Sequence, residues 1–511
     1  MRFANLLSLF FLLAFGLQVS AQRYLTPQFT SASSTVRIYG FNYTVLPLIQ
    51  PGAHTQKQPL QTVIYTPVGD TETERPLVIY LHTGNFFPYP LNGSCGGTLQ
   101  DSACVEFAER LTSLGYVVAV TTYRQGWNPF STVELVRRAT LINAAYRGVQ
   151  DVSTAIRFFR KTVAEEGNPY GIDPDKIVVW GQGTGGYLSL ASAYLNAFGD
   201  IYTTSDPNKF RLPLPNGTLY PMVQESYNGD LYGTTGPTIV DATYNAIFTI
   251  PIGDTLCIPN HVGYDSDFHL AVNMGGALGD STWMDKGDVP LISYHVPSDF
   301  FAPCGTDVLN VPTQTGPQPV VEVSGSCDMQ VYAQNYGNND IFKTIPAGND
   351  PYGAIAKTIN GGLDGFYPFY GTPDDSSSPW EWTTIPPSPA DCNTDGGSAR
   401  TYIDTIIGYF APRACVALGL GCQFSSIKEL DEASVELNVA PVPAADVVNI
   451  TANELIREVY VYDLSGRVVK SNTAIDNYSF QVQRNNLNAG LYIAEIRFDK
   501  GFVKRKIVFS N

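Results

Sequence analysis

Histidine is scarce in this chain. Five occur in 511 residues, at His54, His82, His261, His269 and His295, and the stretch beyond residue 295 has none. With so few imidazoles and no Cys-x-x-Cys pair, a zinc site built from His and Cys is disfavoured. Positive charge is short as well. Lys and Arg number 31 against 47 Asp and Glu, which leaves a net charge of −16 at pH 7. Such a chain repels phosphates, which excludes nucleic acid as a partner. No run past residue 21 is long and apolar enough to span a bilayer, so no transmembrane anchor is expected. The apolar run at 6–15 is too short to span. Preceded by Arg2 and followed by Val19, Ser20 and Ala21, it has the form of a signal peptide over 1–21, cut before Gln22.

What is present is an ordinary globular composition, 44% hydrophobic, sufficient to bury a real core. Eight cysteines, at 95, 104, 257, 304, 327, 392, 415 and 422, favour disulfides in an exported chain. Spacing does not settle their pairing. Cys95 with Cys104, and Cys415 with Cys422, would close short loops.

The pattern along the chain is that of an α/β protein. "VRIYGFNYTV" and "LQTVIYTP" alternate as strands do. "LVIYL" at 77–81 is a continuous apolar run, as in a strand buried on both faces. A helix is predicted over 103–114, a buried strand over 116–121 and a helix over 132–166, with Val152, Ile156, Phe159 and Val163 on one face. A strand follows at 176–180. Such alternation predicts a doubly wound, mostly parallel sheet. Residues 196–267, rich in Pro, Gly, Asn and Tyr, break the rhythm and read as a lid-like insertion. Strands return near "FHLAVNMGGAL" and "VPLISYHV", and a helix over 402–418. A linker is expected over 423–434. Short alternating strands over 435–511 predict a small all-β sandwich.

Two resemblances follow from particular stretches. "APVPAADVVNI", "VYVYDLSGRVV", "LNAGLYIAEIRF" and "GFVKRKIVF", in order and ending at the terminus, resemble the C-terminal sorting domain of the type IX (Por) secretion system. The resemblance implies a Gram-negative bacterium, passage through the periplasm, the secretion machinery and a sortase as partners, and a secreted or cell-surface product. A carbohydrate-binding or spacer sandwich is the rival reading. Residues 22–422 resemble an α/β-hydrolase of the carboxylesterase and lipase kind. "VIYLHTGNF" is similar to the strand that leads into the family's oxyanion loop, with Thr83 and Gly84 after His82. "GDVPLISYHVPSDFFAPCG" resembles the strand and turn that present the triad acid, which puts Asp299 in that role and His295 just ahead of it.

"VWGQGTGGYLSL" reads as strand, tight turn and helix. The family's pattern there is Gly-x-Ser-x-Gly, a strained turn that exposes a nucleophile. Here Gly183 takes the nucleophile's place, between Gly181 and Gly185. Glycine adopts such backbone angles freely, so the turn survives while the hydroxyl is gone. Thr184 follows, with its backbone N–H in the oxyanion role. The family's histidine comes after the acid, yet no histidine follows Asp299. "NGGLDGFYPF" resembles the turn that carries it, and holds Asp364 instead. Triad members act as a unit, so the expectation is a pseudoenzyme of the serine-hydrolase class, without a cofactor, that acts by binding a small molecule, glycan or protein. Three alternatives are kept. One is an active secreted carboxylesterase or lipase. Another is a repurposed site in which Asp299 and Asp364 share a pocket for water-mediated or metal-assisted hydrolysis. The third is dinucleotide binding at the loose Gly-x-Gly-x-x-Gly of Gly181, Gly183 and Gly186, disfavoured because it follows several strands. "PWEW", with Trp380 and Trp382, and "YPFYG" offer aromatic faces for a sugar or partner.

Overall fold

The apolar runs form the middle of one eight-stranded sheet. The structure is a computed structural model. It describes residues 23–45, 54–89, 91–311, 316–372, 376–382, 392–393, 395–422, 424, 428–463, 466–473 and 475–510. The expected signal peptide at 1–21 lies outside them. The described chain forms two compact units, one from Met1–Phe342 with Leu363–Cys422, the other from Lys343–Gly362 with Gln423–Asn511.

In the first unit, β1 (Ala32–Thr44), β2 (Gln56–Pro67), β3 (Arg75–Leu81), β4 (Val117–Thr121), β5 (Ile172–Gln182), β6 (Leu270–Met274), β7 (Leu291–His295) and β8 (Phe366–Pro368) stand in the order 1-2-4-3-5-6-7-8. β1 to β2 and β2 to β4 are antiparallel. The remaining neighbours are parallel. Every residue of β3, β4, β6 and β7 is buried, as parallel strands covered on both faces must be. One face carries α1 (Ser102–Leu114) and α5 (Gly396–Ala417), the other α2 (Glu134–Glu165) and α3 (Thr184–Tyr194). Trp180 shows how the layers meet: its ring centroid lies 5.5 Å from Phe107 on α1 and 4.7 Å from Phe410 on α5. α1 ends where Gly115 turns left-handed, φ 106°, and its N–H closes on the carbonyls of Leu111 and Thr112, the usual glycine stop.

α2 buries more than the one face read from its spacing. Arg147, Gln150, Asp151 and Arg157 are buried too, because residues 196–267 cover the outer side. That segment is less irregular than expected. It holds two short strand pairs and helices at Glu225–Asn228 and Ala242–Phe248. Leu212, Met222, Val240, Tyr244, Phe248, Ile250 and Leu256 form a core of their own against Ala139 of α2. Polar anchors join them: Gln150 Nε2 donates to the Asn228 and Asp230 carbonyls, and Arg157 Nη1 to the Tyr232 carbonyl.

After β7 the chain makes a turn, then a hairpin of Thr306–Val311 and Gln318–Gly325, then α4 (Ser326–Tyr336). His295, wholly buried, joins these pieces. Its Nε2 donates to the Ala302 carbonyl at 3.0 Å and its Nδ1 takes the Ser326 hydroxyl at 2.8 Å. Burial pushes its pKa down to about 4.

In the second unit, five strands in the order Lys428–Glu429, Gly501–Phe509, Gly490–Phe498, Glu458–Tyr462, Val468–Asn472 and three in the order Asn438–Ala440, Val447–Ile456, Asn477–Gln483 form two sheets. Val448, Ile450, Val459, Val461, Ala494 and Ile496 share their core. The all-β expectation matches this architecture. The linker boundary does not. Lys428 and Glu429 pair with Gly501 and Phe502, and Val435 is in the core. The residues 343–362, with the helix Pro351–Ile359, belong to this unit rather than to the α/β body.

The disulfides are Cys95–Cys392, Cys304–Cys327 and Cys415–Cys422. The last agrees with the short-loop expectation. The pairing of Cys95 with Cys104 does not occur: Cys104 is a free, buried thiol on α1, as is Cys257 elsewhere. Two results are expected. A thiol-alkylating reagent labels neither Cys104 nor Cys257 in the native protein, and mass spectrometry after unfolding without reductant finds label at these two alone. For His295, the unfolded imidazole binds a proton below pH 6.5 and the folded one only near pH 4, so stability falls as pH drops through that window. The full contribution is about 3 kcal/mol by pH 4, at 1.36 kcal/mol per pKa unit for a group this buried. Urea unfolding of His295→Asn should show a correspondingly flatter slope between pH 6.5 and 4.

Candidate functional site

The candidate site opens at the C-terminal ends of β3, β5, β6 and β7. β5 runs straight into Gly183, whose φ of 55° and ψ of −118° place it in a backbone region that side chains rarely tolerate. α3 begins at the next residue. Close packing explains the flanking glycine. A β-carbon on Gly181 would lie 1.9 Å from the Gly185 carbonyl oxygen. The geometry is thus the sharp strand-to-helix turn expected from the sequence.

The next residue outward from this turn is Thr83, just past the end of β3. A β-carbon built on Gly183 would lie 2.1 Å from Thr83 Oγ1 and 2.9 Å from Thr83 Cβ. The space that a nucleophile's side chain needs is therefore filled by threonine. Sequence reading placed Thr83 in the oxyanion loop and missed this contact, because the two residues are distant in the chain and meet only through the parallel pairing of β3 with β5.

Below Thr83 lies a closed polar cluster. The Tyr123 hydroxyl donates to the His82 carbonyl at 2.9 Å, and the Thr184 hydroxyl pairs with Tyr123 at 2.8 Å. His82 Nδ1 donates to the Thr83 carbonyl at 2.5 Å, and its ring stacks on Tyr123. Burial lowers the His82 pKa. This neutral, buried imidazole sits beneath the loop. The Thr184 side chain is turned to Tyr123, while its N–H, the first of a helix, has no intrahelical partner. Gly84 follows with φ 131°.

Above the turn is a concave cavity that opens to solvent. Thr83, Gly183, Thr184, Gly275 and Asp299 line it with Ser377 and Ser378. Apolar walls come from α2 (Leu141, Tyr146, Val149), from the insertion (Ile201, Phe210, Val223) and from the hairpin (Leu309, Val321, Val323). The insertion thus contributes three side chains to the cavity wall, while its own apolar core packs on α2. Among the described residues, no histidine, lysine or arginine lines the cavity, and Asp299 is its sole carboxylate.

Asp299 stands after β7, as the resemblance implied. Its Oδ1 accepts the Phe301 N–H at 2.6 Å and the Ala302 N–H at 3.1 Å, and its Oδ2 lies toward Gly275. Tyr187 faces the same space; burial and then the Asp299 charge push its phenol pKa well up.

Asp364 is not part of this site. It is buried two residues before β8, and its carbonyl accepts from Tyr409 Oη at 2.9 Å and Arg413 Nε at 2.8 Å. Because β8 runs parallel to β7, Asp364 lies at the end of the sheet opposite Asp299. The two carboxylates are not brought together, which removes the shared-pocket arrangement. The chain beyond β8 returns to the cavity later, at Ser377 and Ser378. Gln182, inside the turn, fixes that stretch: its amide accepts from Tyr80 Oη and donates to Glu381. The Cys95–Cys392 bridge links the same stretch to the loop after β3. Trp380, read as a possible sugar platform, is wholly buried against Phe369. Trp382 is half-buried beside the Arg400 guanidinium.

Comparison with known proteins gives two family matches on separate stretches. Residues 63–211 match the BD-FAE family model, and residues 438–510 match the secretion system C-terminal sorting domain. Beta-agarase D of Zobellia galactanivorans is 37% identical over 88 residues, which are 17% of this chain and 18% of that protein. The chain thus spans under a fifth of that relative's length. Solved structures of Thermogutta terrifontis esterase 2 also match. The paraoxon-phosphorylated form is 14% identical over 73% of this chain and 90% of that one, TM-score 0.34. The propionate-bound form is 14% identical over 76% and 95%, TM-score 0.34. The chain carries an esterase-like α/β-hydrolase region followed by a type IX secretion sorting domain, and it is a secreted or cell-surface protein of a Gram-negative bacterium.

Proposed function

We propose that this exported protein does not run serine-type ester hydrolysis and instead holds an apolar ligand in the cavity over Gly183. The observation that carries this reading is the filling of the nucleophile's space by Thr83, 2.1 Å from any β-carbon at Gly183. An acyl-enzyme needs an attacking oxygen, a base beside it and donors for the oxyanion. The described cavity lining holds no imidazole. The nearest, His82, is buried, and its Nδ1 is bonded to a carbonyl. Losing one triad member already costs several orders of magnitude. What the site keeps is a large, mostly apolar, concave space with a few polar groups, the usual form of a small-molecule site. The sorting tail supports export by the type IX machinery, with a sortase as the expected processing partner.

One observation favours a second reading, an active esterase. Thr83 itself offers a hydroxyl at the edge of the cavity, close to where a serine oxygen would stand, and the BD-FAE match covers this region. In that case Thr83 would be the nucleophile and Asp299 the one carboxylate base in reach of the cavity.

Treating the purified protein with a fluorophosphonate probe and p-nitrophenyl butyrate separates the two. The binding reading expects no adduct by mass spectrometry and ester turnover that is equal in wild type and in Thr83→Val. An adduct on Thr83, with turnover that falls at least a hundredfold in Thr83→Val, establishes the esterase instead.

A further inference from the structure

A second, smaller pocket lies on the other side of α2. The cavity over Gly183 takes Leu141, Ala145 and Val149 from this helix. Thr140, Asn143 and Arg147 sit on the opposite face, as their spacing along one helix requires, and they line the smaller pocket. Trp127 and Asn128, from the segment after β4, and Tyr244 and Phe248, from the insertion, face the same space. All of these residues belong to the first unit.

Among the described residues, Arg147 is the one charged side chain in that wall. It is only 5% exposed. Its Nη2 donates to the Gly126 carbonyl, and its Nε is buried with no hydrogen-bond partner. No carboxylate among the described residues pairs with it. Asp151, whose charge reaches it, is already held by Arg124, which binds it through Nε at 2.9 Å and through its backbone N–H at 2.7 Å. Two buried guanidiniums therefore share one carboxylate. Burial and then the Arg124 charge lower the Arg147 pKa to about 10, which still leaves it a cation at neutral pH. Burying a cation without a counter-ion is costly, and the low dielectric strengthens its pull on any anion that enters.

The rest of the wall decides what kind of anion fits. Thr140 and Asn143 are engaged within the protein. The Thr140 hydroxyl donates to the Val136 carbonyl and accepts the Asn128 N–H, and the Asn143 amide donates to the Ala139 and Met222 carbonyls. The other surfaces are mainly aromatic and are set without a ligand. Trp127 Nε1 is fixed on the Asn85 carbonyl at 2.8 Å, and the rings of Tyr244 and Phe248 stack with centroids 4.5 Å apart. A strongly hydrated anion such as phosphate would exchange its water for one cation and several apolar faces, which is unfavourable. A monocarboxylate with an apolar body uses both parts of the wall. Its planar head matches the guanidinium fork, and the rings cover its body.

We propose that this pocket is a binding site for a small monocarboxylate with an apolar body, its carboxylate on the Arg147 guanidinium and its body against Trp127, Tyr244 and Phe248. The site is separate from the cavity over Gly183 and does not depend on what that cavity does.

Calorimetric titration of the full-length protein at pH 7.5 with benzoate, benzamide and inorganic phosphate tests the proposal. Benzamide keeps the body without the charge, and phosphate keeps a charge without the body. Benzoate is expected to bind at least tenfold more tightly than either. In Arg147→Gln its affinity should fall at least tenfold, to that of benzamide; melting curves check that the variant is folded. A crystal of the wild-type protein soaked in benzoate should show the carboxylate on Arg147, a readout that stands even where the variant does not fold. Equal affinity for benzoate and benzamide in the wild type, tighter binding of phosphate, or no binding of benzoate overturns the assignment. So does benzoate affinity that survives in Arg147→Gln, or a benzoate seated elsewhere in the crystal.

Discussion

The contact between Thr83 and Gly183 is the constraint on which the site depends. Two strands that lie side by side in the sheet end at the same height, and each delivers one residue to the same point in space. Only one of the two can carry a side chain there. In this chain β3 delivers the threonine and β5 delivers a bare backbone. The sharp turn after β5 is thus a backbone element whose outer side is covered by Thr83. The start of the loop after β3 is tied down. His82 and, from the segment after β4, Tyr123 join in a buried hydrogen-bonded cluster that turns its polar groups inward rather than to the cavity.

The walls show what holds the cavity open. Three separate additions contribute to it: the insertion on α2, the hairpin after β7 and the stretch after β8 that ends in Ser377 and Ser378. Each is fixed by contacts outside the cavity. The insertion has its own apolar core and the Arg157 and Gln150 anchors. The hairpin is bracketed by the Cys304–Cys327 bridge and by His295. The stretch after β8 is held by Glu381 on Gln182 and by Cys392 on Cys95. None of these anchors needs a ligand, so the pocket is formed before anything enters it, which limits the ordering cost of binding.

Much of this was legible in the sequence, for identifiable reasons. Buried parallel strands are continuous apolar runs, so β3, β4 and the end of β5 could be read directly. The tail could be read because alternation survives in short strands such as Val447–Ile456 and Gly490–Phe498. The turn at Gly183 and the position of Asp299 after β7 followed from local motif. What could not be read is whatever depends on contacts between distant segments. Asp364 sat in a suitable Gly-rich stretch, but the start of β8 lies on its C-terminal side, which puts it at the wrong end of the sheet. Cys95 looked closest in sequence to Cys104, yet Cys104 points into the core from α1 while Cys95 meets Cys392. Trp380 looked like a ligand platform because composition does not reveal burial. Gly183 stood out in its motif, but the approach of Thr83 to it had no local signal, since the two residues are about a hundred positions apart and meet only in the folded sheet.

The central claim is that one side chain already occupies the nucleophile's place, and a double-mutant stability cycle tests it most directly. The account predicts that Gly183→Ala destabilises the protein by about 2–4 kcal/mol, from backbone strain plus overpacking. It further predicts that the cost falls by at least about 1 kcal/mol when measured in a Thr83→Gly background, since contacting residues couple. Strictly additive effects, with Gly183→Ala equally costly whether or not Thr83 is present, would contradict it.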